Sequence, residues 1–347
     1  MTTLAPDTSH LAVLARARAG ARLDEDDALT LLRSADLVAL GEAARDLRGR
    51  RTPPDEVTFS IDRNVNYTNF CITDCDFCAF DRLPRDPEGY VLPKSVIFRK
   101  IEETLDLGGT ALLLQGGHHP GLRIEFYEDL FRAIKARYPI HLHALSPSEV
   151  LHIAHFSRLS LEDTLDRLIA AGLDSIPGGG AEILVDRVRK VIAPKKTTSD
   201  EWLGVMRAAH RKGLSTTATM MYGTVDTLED RVEHLRRLRE LQDETGGVFT
   251  AFIPWTFQPE NTAMGASMLA DRGGLKTTVA FWPPRGCSIV GPRAVFSGWN
   301  VHGMNAVNTL HSACSSRMRV MCSMRSVSVS TWPNIIVAVP LPPSFAH

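Results

Sequence analysis

Residues 63–80 read RNVNYTNFCITDCDFCAF, and this stretch contains three of the six cysteines of the chain. Cys71, Cys75 and Cys78 have the spacing C-x3-C-x2-C, with the aromatic residue Phe77 directly before the third cysteine. A disulfide requires a particular separation and direction of two side chains, which cysteines this close do not readily meet. A short loop can instead direct three thiolates at one centre. Three thiolates can bind three irons of a [4Fe–4S] cube and leave the fourth iron open to another ligand.

Two other interpretations of these cysteines are a zinc site and three incidental thiols. A structural zinc ion takes four nitrogen or sulfur ligands. No fourth Cys or His lies near Cys71–Cys78 in the sequence, and the nearest candidates are His118 and His119. Incidental thiols would not be expected to concentrate half of the cysteines within eight residues. The spacing therefore favours an iron–sulfur cluster.

The pattern C-x3-C-x-aromatic-C resembles the signature of the radical S-adenosylmethionine (SAM) enzymes. This resemblance implies a [4Fe–4S] cluster bound by Cys71, Cys75 and Cys78, and SAM as a second cofactor, with Phe77 contributing to its site. Gln115-Gly116-Gly117 ends an apolar stretch and resembles the family's glycine pair, which holds the amino group of SAM's methionine. From the residues alone, glycines at this point let a ligand approach the backbone and leave amides free to bond it, and a tight turn is the alternative.

The composition is that of a globular protein. The chain has 347 residues, of which 44% are hydrophobic and 23% charged, enough for one large barrel or two ordinary domains. A net charge of -1 gives no electrostatic argument for a nucleic-acid or membrane-surface partner. The N-terminal MTTLAPDTSH lacks the pattern of a signal peptide, and no apolar run of about 18 residues is present. We therefore expect a cytoplasmic protein in a reducing compartment.

Three regions are predicted along the chain. Residues 1–54 are expected to form a helical N-terminal extension, because Asp24 and Asp36 can cap amphipathic helices before the break at Arg51-Thr-Pro-Pro54. Residues 55–264 are expected to form the main β/α domain, and residues 265–347 a divergent tail.

Strands and helices alternate within the main domain. Strands are predicted at Val57–Ile61, Thr110–Leu114, Ile140–Leu145, Thr216–Tyr222 and Val248–Ile253, and Ser175–Gly180 is predicted as a glycine-rich turn. Helices are predicted at Ser95–Leu107, Glu125–Tyr138, Leu161–Ala171, Ser199–Gly213 and Leu228–Thr245. About six such units with right-handed crossovers predict a radical SAM TIM-like (β/α) barrel, partial or complete, with the cysteine loop at the mouth of its first strand.

Further polar residues lie at predicted strand ends. Ser146 can bond ribose or a carboxylate, or can cap a helix with Glu149 as its partner. Glu182 resembles a position that meets SAM in related enzymes, and the alternative is a first-turn Glu favoured by the helix dipole. His118 and His119 can move protons near neutral pH or be surface residues. His118, His119 and Glu182 are the candidate catalytic residues.

Longer phrases resemble one family of radical SAM enzymes, the dehypoxanthine futalosine cyclases of the futalosine route to menaquinone. The resemblance covers roughly residues 20–264 and rests on DRNVNYTNFC, CAFDRLPRDPEGYVL, KIEETLDLGGTALLLQGGHHP, SIPGGGAEILVDRVRK and RELQDETGGVFTAFIPWTFQPENT. Aminofutalosine synthase is the near alternative, but its corresponding strand ends in a valine-rich phrase where this chain has LLLQGG. His118 departs from the family, which more usually has an apolar residue there.

The resemblance implies a mechanism and partners. Reductive cleavage of SAM gives a 5′-deoxyadenosyl radical that abstracts a hydrogen from the substrate's ribose. The carbon radical adds to the neighbouring aromatic ring, and loss of an electron and a proton gives the cyclic product. A flavodoxin- or ferredoxin-like protein would supply the electron. The base that takes the proton is unassigned by the resemblance.

The family phrases stop at about Met264, and residues 272–347 contain no Asp or Glu. We hypothesise that a reading-frame shift near residues 264–280 replaced the family's C-terminal quarter, and the alternative is a genuinely divergent tail. Resequencing the 3′ end of the gene tests this, since an intact frame encoding the same tail would exclude the shift. Loss of the last barrel units would leave an open sheet edge, so a non-catalytic iron–sulfur-binding remnant is the second functional interpretation.

Overall fold

The structure is a computed structural model that describes residues 9–53, 59–271, 296–297 and 335–337. The start of the strand predicted at Val57–Ile61 lies outside the described residues, as does most of the predicted tail. Within the described ranges, no helix combines the length and apolar character needed to cross a membrane.

The chain begins with helices and then alternates strands with helices. The helices are α1 (Ser9–Arg18), α2 (Glu25–Arg33), α3 (Leu37–Gly49), α4 (Lys94–Asp106), α5 (Ile124–Lys135), α6 (Pro147–Ser157), α7 (Leu161–Ala171), α8 (Asp186–Ile192), α9 (Ser199–Arg211), α10 (Leu228–Glu244) and α11 (Ala263–Asp271). The strands are β1 (Ser60–Asn66), β2 (Ala111–Gln115), β3 (His141–Ala144), β4 (Ser175–Ile176), β5 (Ser215–Tyr222), β6 (Phe249–Thr256), β7 (Phe296–Ser297) and β8 (Ile335–Val337).

Strands β1 to β6 are parallel and neighbour one another in chain order. The sheet curls into a half-barrel with helices around its convex side, which confirms the predicted radical SAM β/α architecture. At its other edge, β8 pairs antiparallel with β1, and β7 pairs with β8.

Alternation along the strands separates a core-facing side from a concave side. Leu112, Leu114 and Leu142 are fully buried in the main hydrophobic core, together with helix residues such as Ile101 and Phe131. Residues one position away in a strand point to the opposite face. The concave face of β1 to β3 therefore carries polar side chains at several of its positions, including Asp62, Asn64, Gln115, His141 and His143.

Helix starts follow the sequence signals closely. Asp24, Ser146, Thr198 and Thr227 each accept a backbone N–H and form a reciprocal capping box with the residue three positions later. β1 continues to Asn66, beyond the predicted strand end at Ile61. Residues 175–180 also differ from the predicted turn, because Ser175–Ile176 form a short central strand before the glycines turn the chain. Two residues give too little alternation to distinguish a strand from a turn in the sequence.

Asp62 is an unusual member of the concave face. Its residue is 6% exposed, and its Oδ1 has no hydrogen-bond partner within the described residues. Burial raises the pKa of this carboxyl to about 7. Because the folded state holds this proton more tightly than the unfolded state, Asp62 lowers the stability of the fold as pH rises from about 4 to about 7.

Asp62→Asn should therefore raise the free energy of unfolding, by on the order of 1–3 kcal/mol at pH 8 and by much less at pH 5. Urea unfolding at the two pH values measures the difference. Asp106→Asn, at an exposed site on α4, is the matched control and should show no such pH dependence. An equal effect of Asp62→Asn at both pH values would contradict a buried, protonated carboxyl.

Candidate active site

The three cysteines lie in the cluster loop, which we define as residues 67–82 and which follows β1. Cys71 and Cys75 are buried and Cys78 is half-buried. The Cys71 amide donates to the carbonyl of Arg82 at 2.9 Å, and the Ile72 amide donates to the carbonyl of His118 at 3.2 Å. These bonds attach the loop both to its own far end and to the loop after β2.

Burial governs the ionisation of the thiols. It raises the pKa of Cys78 to about 11, and it raises the pKa of Cys75 although the positive charge of Lys196 offsets part of the effect. Cys71 Sγ lies 2.7 Å from the hydroxyl oxygen of Thr73. Thiols in this environment become thiolates when a cationic centre binds them.

The donor set of this loop is three free thiols. Among the described residues, no three His, Cys, Asp or Glu side chains converge as ligands of one metal ion. The thiolates of a [4Fe–4S] cube bind different irons and stand further apart than the ligands of a single ion. Three free thiols on one loop suit a cluster whose fourth iron takes its ligand from a bound cofactor.

The glycine pair at the end of β2 packs tightly on the cluster loop. A Cβ atom on Gly117 would lie 2.3 Å from the carbonyl oxygen of Phe70 and 2.9 Å from Cys71 Cβ. A Cβ atom on Gly116 would lie 2.6 Å from the ring of Tyr67. Glycine is therefore required here for a close approach of two backbones.

The amides of the pair are not free, contrary to the expectation from the sequence. The Gly117 amide donates to the carbonyl of Thr68 at 2.9 Å, and the Gly116 amide donates to Glu149 Oε1 at 2.9 Å. Gln115 precedes them on the concave face and is half-buried. A SAM-binding role for Gln115-Gly116-Gly117 stays a prediction, now limited to groups other than these two amides.

Ser146 is the N-cap of α6, which confirms the capping interpretation of its sequence. Its hydroxyl accepts from the Glu149 amide at 3.3 Å, and its own amide donates to Glu149 Oε2 at 2.7 Å. Glu149 also accepts from the Tyr67 hydroxyl at 2.8 Å. One buried carboxylate thus joins α6, the glycine pair and the first residue of the cluster loop, while cofactor binding by Ser146 stays a prediction.

Glu182 lies in a bend before α8 rather than in the first turn of a helix, so the helix-dipole alternative is wrong. Its φ is 45°, and it is buried. Lys196 Nζ donates to Glu182 Oε1 at 2.9 Å and lies 5.2 Å from the centre of the Phe77 ring. Burial lowers the pKa of Lys196, but the charges of Glu182 and Cys75 outweigh it and the net shift is upward.

Lys196 and Arg189 were missed by sequence reasoning. The Arg189 guanidinium is buried and donates to the carbonyls of Gly180 at 3.1 Å and Thr197 at 2.9 Å, which holds the glycine-rich turn that carries Glu182. Basic residues in a polar segment carry no signal of burial, because most such residues are solvated.

The two candidate histidines have different surroundings. His118 is buried rather than on the surface, and its ring lies 4.9 Å from the ring of His152. Burial, with the nearby His152 and Lys196, lowers the pKa of His118 to about 3. His119 Nδ1 accepts from the Gly121 amide at 2.9 Å, and burial lowers the pKa of His119 as well.

A polar chain on the concave face was also missed. Ser175 Oγ lies 2.7 Å from His141 Nε2 and 2.7 Å from His143 Nδ1. The alternation in His141-Leu-His143 was a signal for two histidines on one face of a strand, but the sequence did not pair them with Ser175.

Gly117→Ala should disrupt the contact between the glycine pair and the cluster loop, because the new methyl group meets backbone that cannot move alone. We expect at least a fivefold loss of iron and sulfide bound after anaerobic reconstitution. Gly204→Ala on α9 is the matched control, since its Cβ meets nothing within 4 Å. Normal cluster content in Gly117→Ala would show that the contact is not needed.

Lys196→Ala should leave the buried Glu182 carboxylate unpaired and destabilise the fold by about 3–5 kcal/mol. The neighbouring Lys195→Ala removes an exposed pair with Asp74 and should change stability by about 0–1 kcal/mol. Denaturant unfolding of both variants gives the comparison, and similar losses in the two would argue against a buried Glu182–Lys196 pair.

Comparisons with known proteins agree with this geometry. The model of the Radical SAM superfamily matches residues 65–238. Methylornithine synthase has a similar structure, with a TM-score of 0.57 at 18% identity over 73% of this chain and 70% of that chain. At this identity the likeness concerns the fold alone.

Three curated relatives are much closer in sequence. The cyclic dehypoxanthine futalosine synthase of Streptomyces coelicolor is 49% identical over 253 residues, 72% of this chain and 63% of that protein. That of Halalkalibacterium halodurans is also 49% identical over 253 residues, 73% of this chain and 68% of that protein. The 5-amino-6-(D-ribitylamino)uracil--L-tyrosine 4-hydroxyphenyl transferase of Methanococcoides burtonii is 44% identical over 256 residues, 74% and 70% of the two chains.

These matches confirm the resemblance seen in the sequence phrases. The match spans just under two thirds of the Streptomyces relative, and relatives with two different names reach comparable coverage. The chain belongs to the radical SAM superfamily of enzymes.

Proposed function

We propose that this chain is a radical SAM cyclase that converts dehypoxanthine futalosine into cyclic dehypoxanthine futalosine in menaquinone biosynthesis. The observation that carries the proposal is the 49% identity over 253 residues to two synthases of that name. Its physical support is the cluster loop, packed on the glycine pair at the end of the parallel strands. This is where β/α barrels carry their active sites.

The proposed roles of the residues follow from their positions. Cys71, Cys75 and Cys78 would hold a [4Fe–4S] cluster with one open iron. When bound, cluster and SAM together supply a 5′-deoxyadenosyl radical that takes a hydrogen from the ribose of the substrate.

The protein's part is to place SAM and exclude water. The buried pair of Glu182 and Lys196 supports this, since it lies against Phe77 and next to Cys75. The SAM-binding set that the resemblance implies, and that we propose here, is Phe77, Gln115, Gly116, Gly117, Ser146 and Glu182. His118, with a low pKa and buried neighbours, would be a weak base.

The proposal also includes an electron donor, a cellular location and a division into regions. A flavodoxin- or ferredoxin-like protein would deliver the electron, and a cytoplasmic location would keep the thiolates reduced. We also propose the division into a helical extension (1–54), a catalytic core (55–264) and a divergent tail (265–347).

The 44% identity to the Methanococcoides transferase supports one competing proposal, the transfer of a 4-hydroxyphenyl group from tyrosine to 5-amino-6-(D-ribitylamino)uracil. Aminofutalosine synthase and a non-catalytic iron–sulfur remnant are the alternatives raised by the sequence. All retain the three cysteines, so cluster assembly does not distinguish them and turnover does.

The test is anaerobic reconstitution of the full chain, followed by SAM, reductant and dehypoxanthine futalosine, with products identified by mass spectrometry. We expect 5′-deoxyadenosine and the cyclised product in comparable amounts. Parallel reactions with tyrosine and 5-amino-6-(D-ribitylamino)uracil test the transferase. Product from that pair alone, or 5′-deoxyadenosine alone, would overturn the cyclase proposal, and a formed cluster with neither product would support the remnant.

Cys75→Ala is the variant for this test and should abolish both products, because a cube held by two thiolates is not retained. Cys314→Ser lies outside the C-x3-C-x2-C spacing and is the matched control, expected to behave as the unaltered chain.

A further inference from the structure

The polar chain His143–Ser175–His141 has the composition of a proton pathway. A hydroxyl and a neutral imidazole can each donate one hydrogen bond and accept another. Both contacts of Ser175 Oγ are 2.7 Å long, and the hydroxyl can accept from one ring while it donates to the other. The two histidines are therefore coupled through one oxygen atom.

The hydrogen-bonded chain runs from His143 through Ser175 to His141, which is at the N-terminal end of β3. His143 is aligned with Leu113 on β2, one row below Gln115 at the mouth. Rows on one face of a strand are about 7 Å apart, so His143 lies within reach of a molecule bound at the mouth. His141 lies one row deeper and is exposed, whereas Ser175 between them is buried.

The proposed reaction needs a base inside the half-barrel. After the substrate radical has added to the aromatic ring, one ring carbon carries a hydrogen that must leave as a proton. Glu182 is tied to Lys196, and His118 is packed against His152. Burial, with the His152 ring and the Lys196 ammonium, disfavours a positive charge on His118. Burial disfavours a charge on His143 as well, but His143 is bonded to Ser175, which leads to the exposed His141.

We propose that His143 is the base that takes this proton, with Ser175 and His141 as positioning residues that carry its charge to the exposed end of the chain. This proposal rests on the proposed cyclase function. Nδ1 of His143 is occupied by Ser175, which leaves Nε2 for the substrate.

The ring C–H bond breaks, its electron pair restores the aromatic ring, and the proton goes to His143 Nε2. The single excess electron leaves to a one-electron carrier protein of the flavodoxin or ferredoxin class. The Nδ1 proton of His143 then moves to Ser175 Oγ, and the Ser175 proton moves to His141 Nε2. His141 releases its other ring proton to solvent, and the original tautomers return by the reverse exchange with water between turnovers.

Burial explains why the charge must move. Burial, with the neighbouring His141, lowers the pKa of His143 to about 3, so a positive charge is not stable on that ring. The radical adduct is acidic at this ring carbon because loss of the proton restores the aromatic ring, so a weak base suffices to accept it. Transfer along the chain places the charge on the exposed His141, and the carboxyl of Asp62 lies two strands away in the same row.

His143→Asn tests the proposal, because the amide can keep the bond to Ser175 while Nε2 is lost. We expect cluster content and 5′-deoxyadenosine formation within about twofold of the unaltered chain, and at least a hundredfold less cyclised product. An organic radical should accumulate in freeze-quenched samples examined by electron paramagnetic resonance. Ser175→Ala keeps the base but breaks the chain, and should lower product formation about tenfold.

His155→Asn, at an exposed position on α6, is the matched control and should behave as the unaltered chain. Equal product from His143→Asn and His155→Asn would overturn the role of His143 and leave the cyclase proposal standing. If the unaltered chain makes no cyclised product, both proposals fall. If His143→Asn assembles no cluster, the Ser175→Ala variant becomes the test. An unchanged ratio of cyclised product to 5′-deoxyadenosine in Ser175→Ala would then overturn the proposal.

Discussion

The contact between Gly117 and the cluster loop is the constraint on which the site depends. The end of β2 lies so close to the Phe70 carbonyl and to Cys71 that no side chain fits between them. The Gly117 amide donates a hydrogen bond to the Thr68 carbonyl. The carbonyl of the following residue, His118, accepts a hydrogen bond from the Ile72 amide. Because β2 lies between β1 and β3, these contacts attach the cysteine loop to an interior strand of the sheet.

Buried charge surrounds this contact on two sides. Glu149 satisfies the Gly116 amide, the Tyr67 hydroxyl and the start of α6, and Glu182 is paired with Lys196 beside Phe77. Burial raises the pKa of Glu149, but the hydrogen bonds from Ser146, Tyr67 and Gly116 oppose the shift. Removal of one partner of such a buried group leaves the other without compensation, so substitution of a single member is strongly destabilising.

The sequence allowed the architecture to be predicted because local signals agreed with it. The cysteine spacing, the helix caps and the alternation of strands with helices predicted a parallel β/α barrel, partial or complete, and the position of its loop. The amides of Gly116 and Gly117, the burial of His118 and the coupling of His141 to Ser175 were not predicted. Each of these features depends on which strands become neighbours. The local sequence around a residue does not show which residue of another strand will be its partner. β4 was missed because two residues are too few to show a period.

Among the described strands β6 lies at one end of the sheet order, and its sequence affects how well that edge can pair with a strand of another molecule. In the described part of the chain β6 pairs with β5 on one side, and it carries Pro254 opposite Met220. A proline is tolerated on an edge strand where its missing N–H faces away from the sheet. An incoming strand from another molecule would find a gap in the donor row there, so stacking of copies through this edge is interrupted after a few residues. The part of this edge around Pro254 is thus a poor template for strand pairing between molecules.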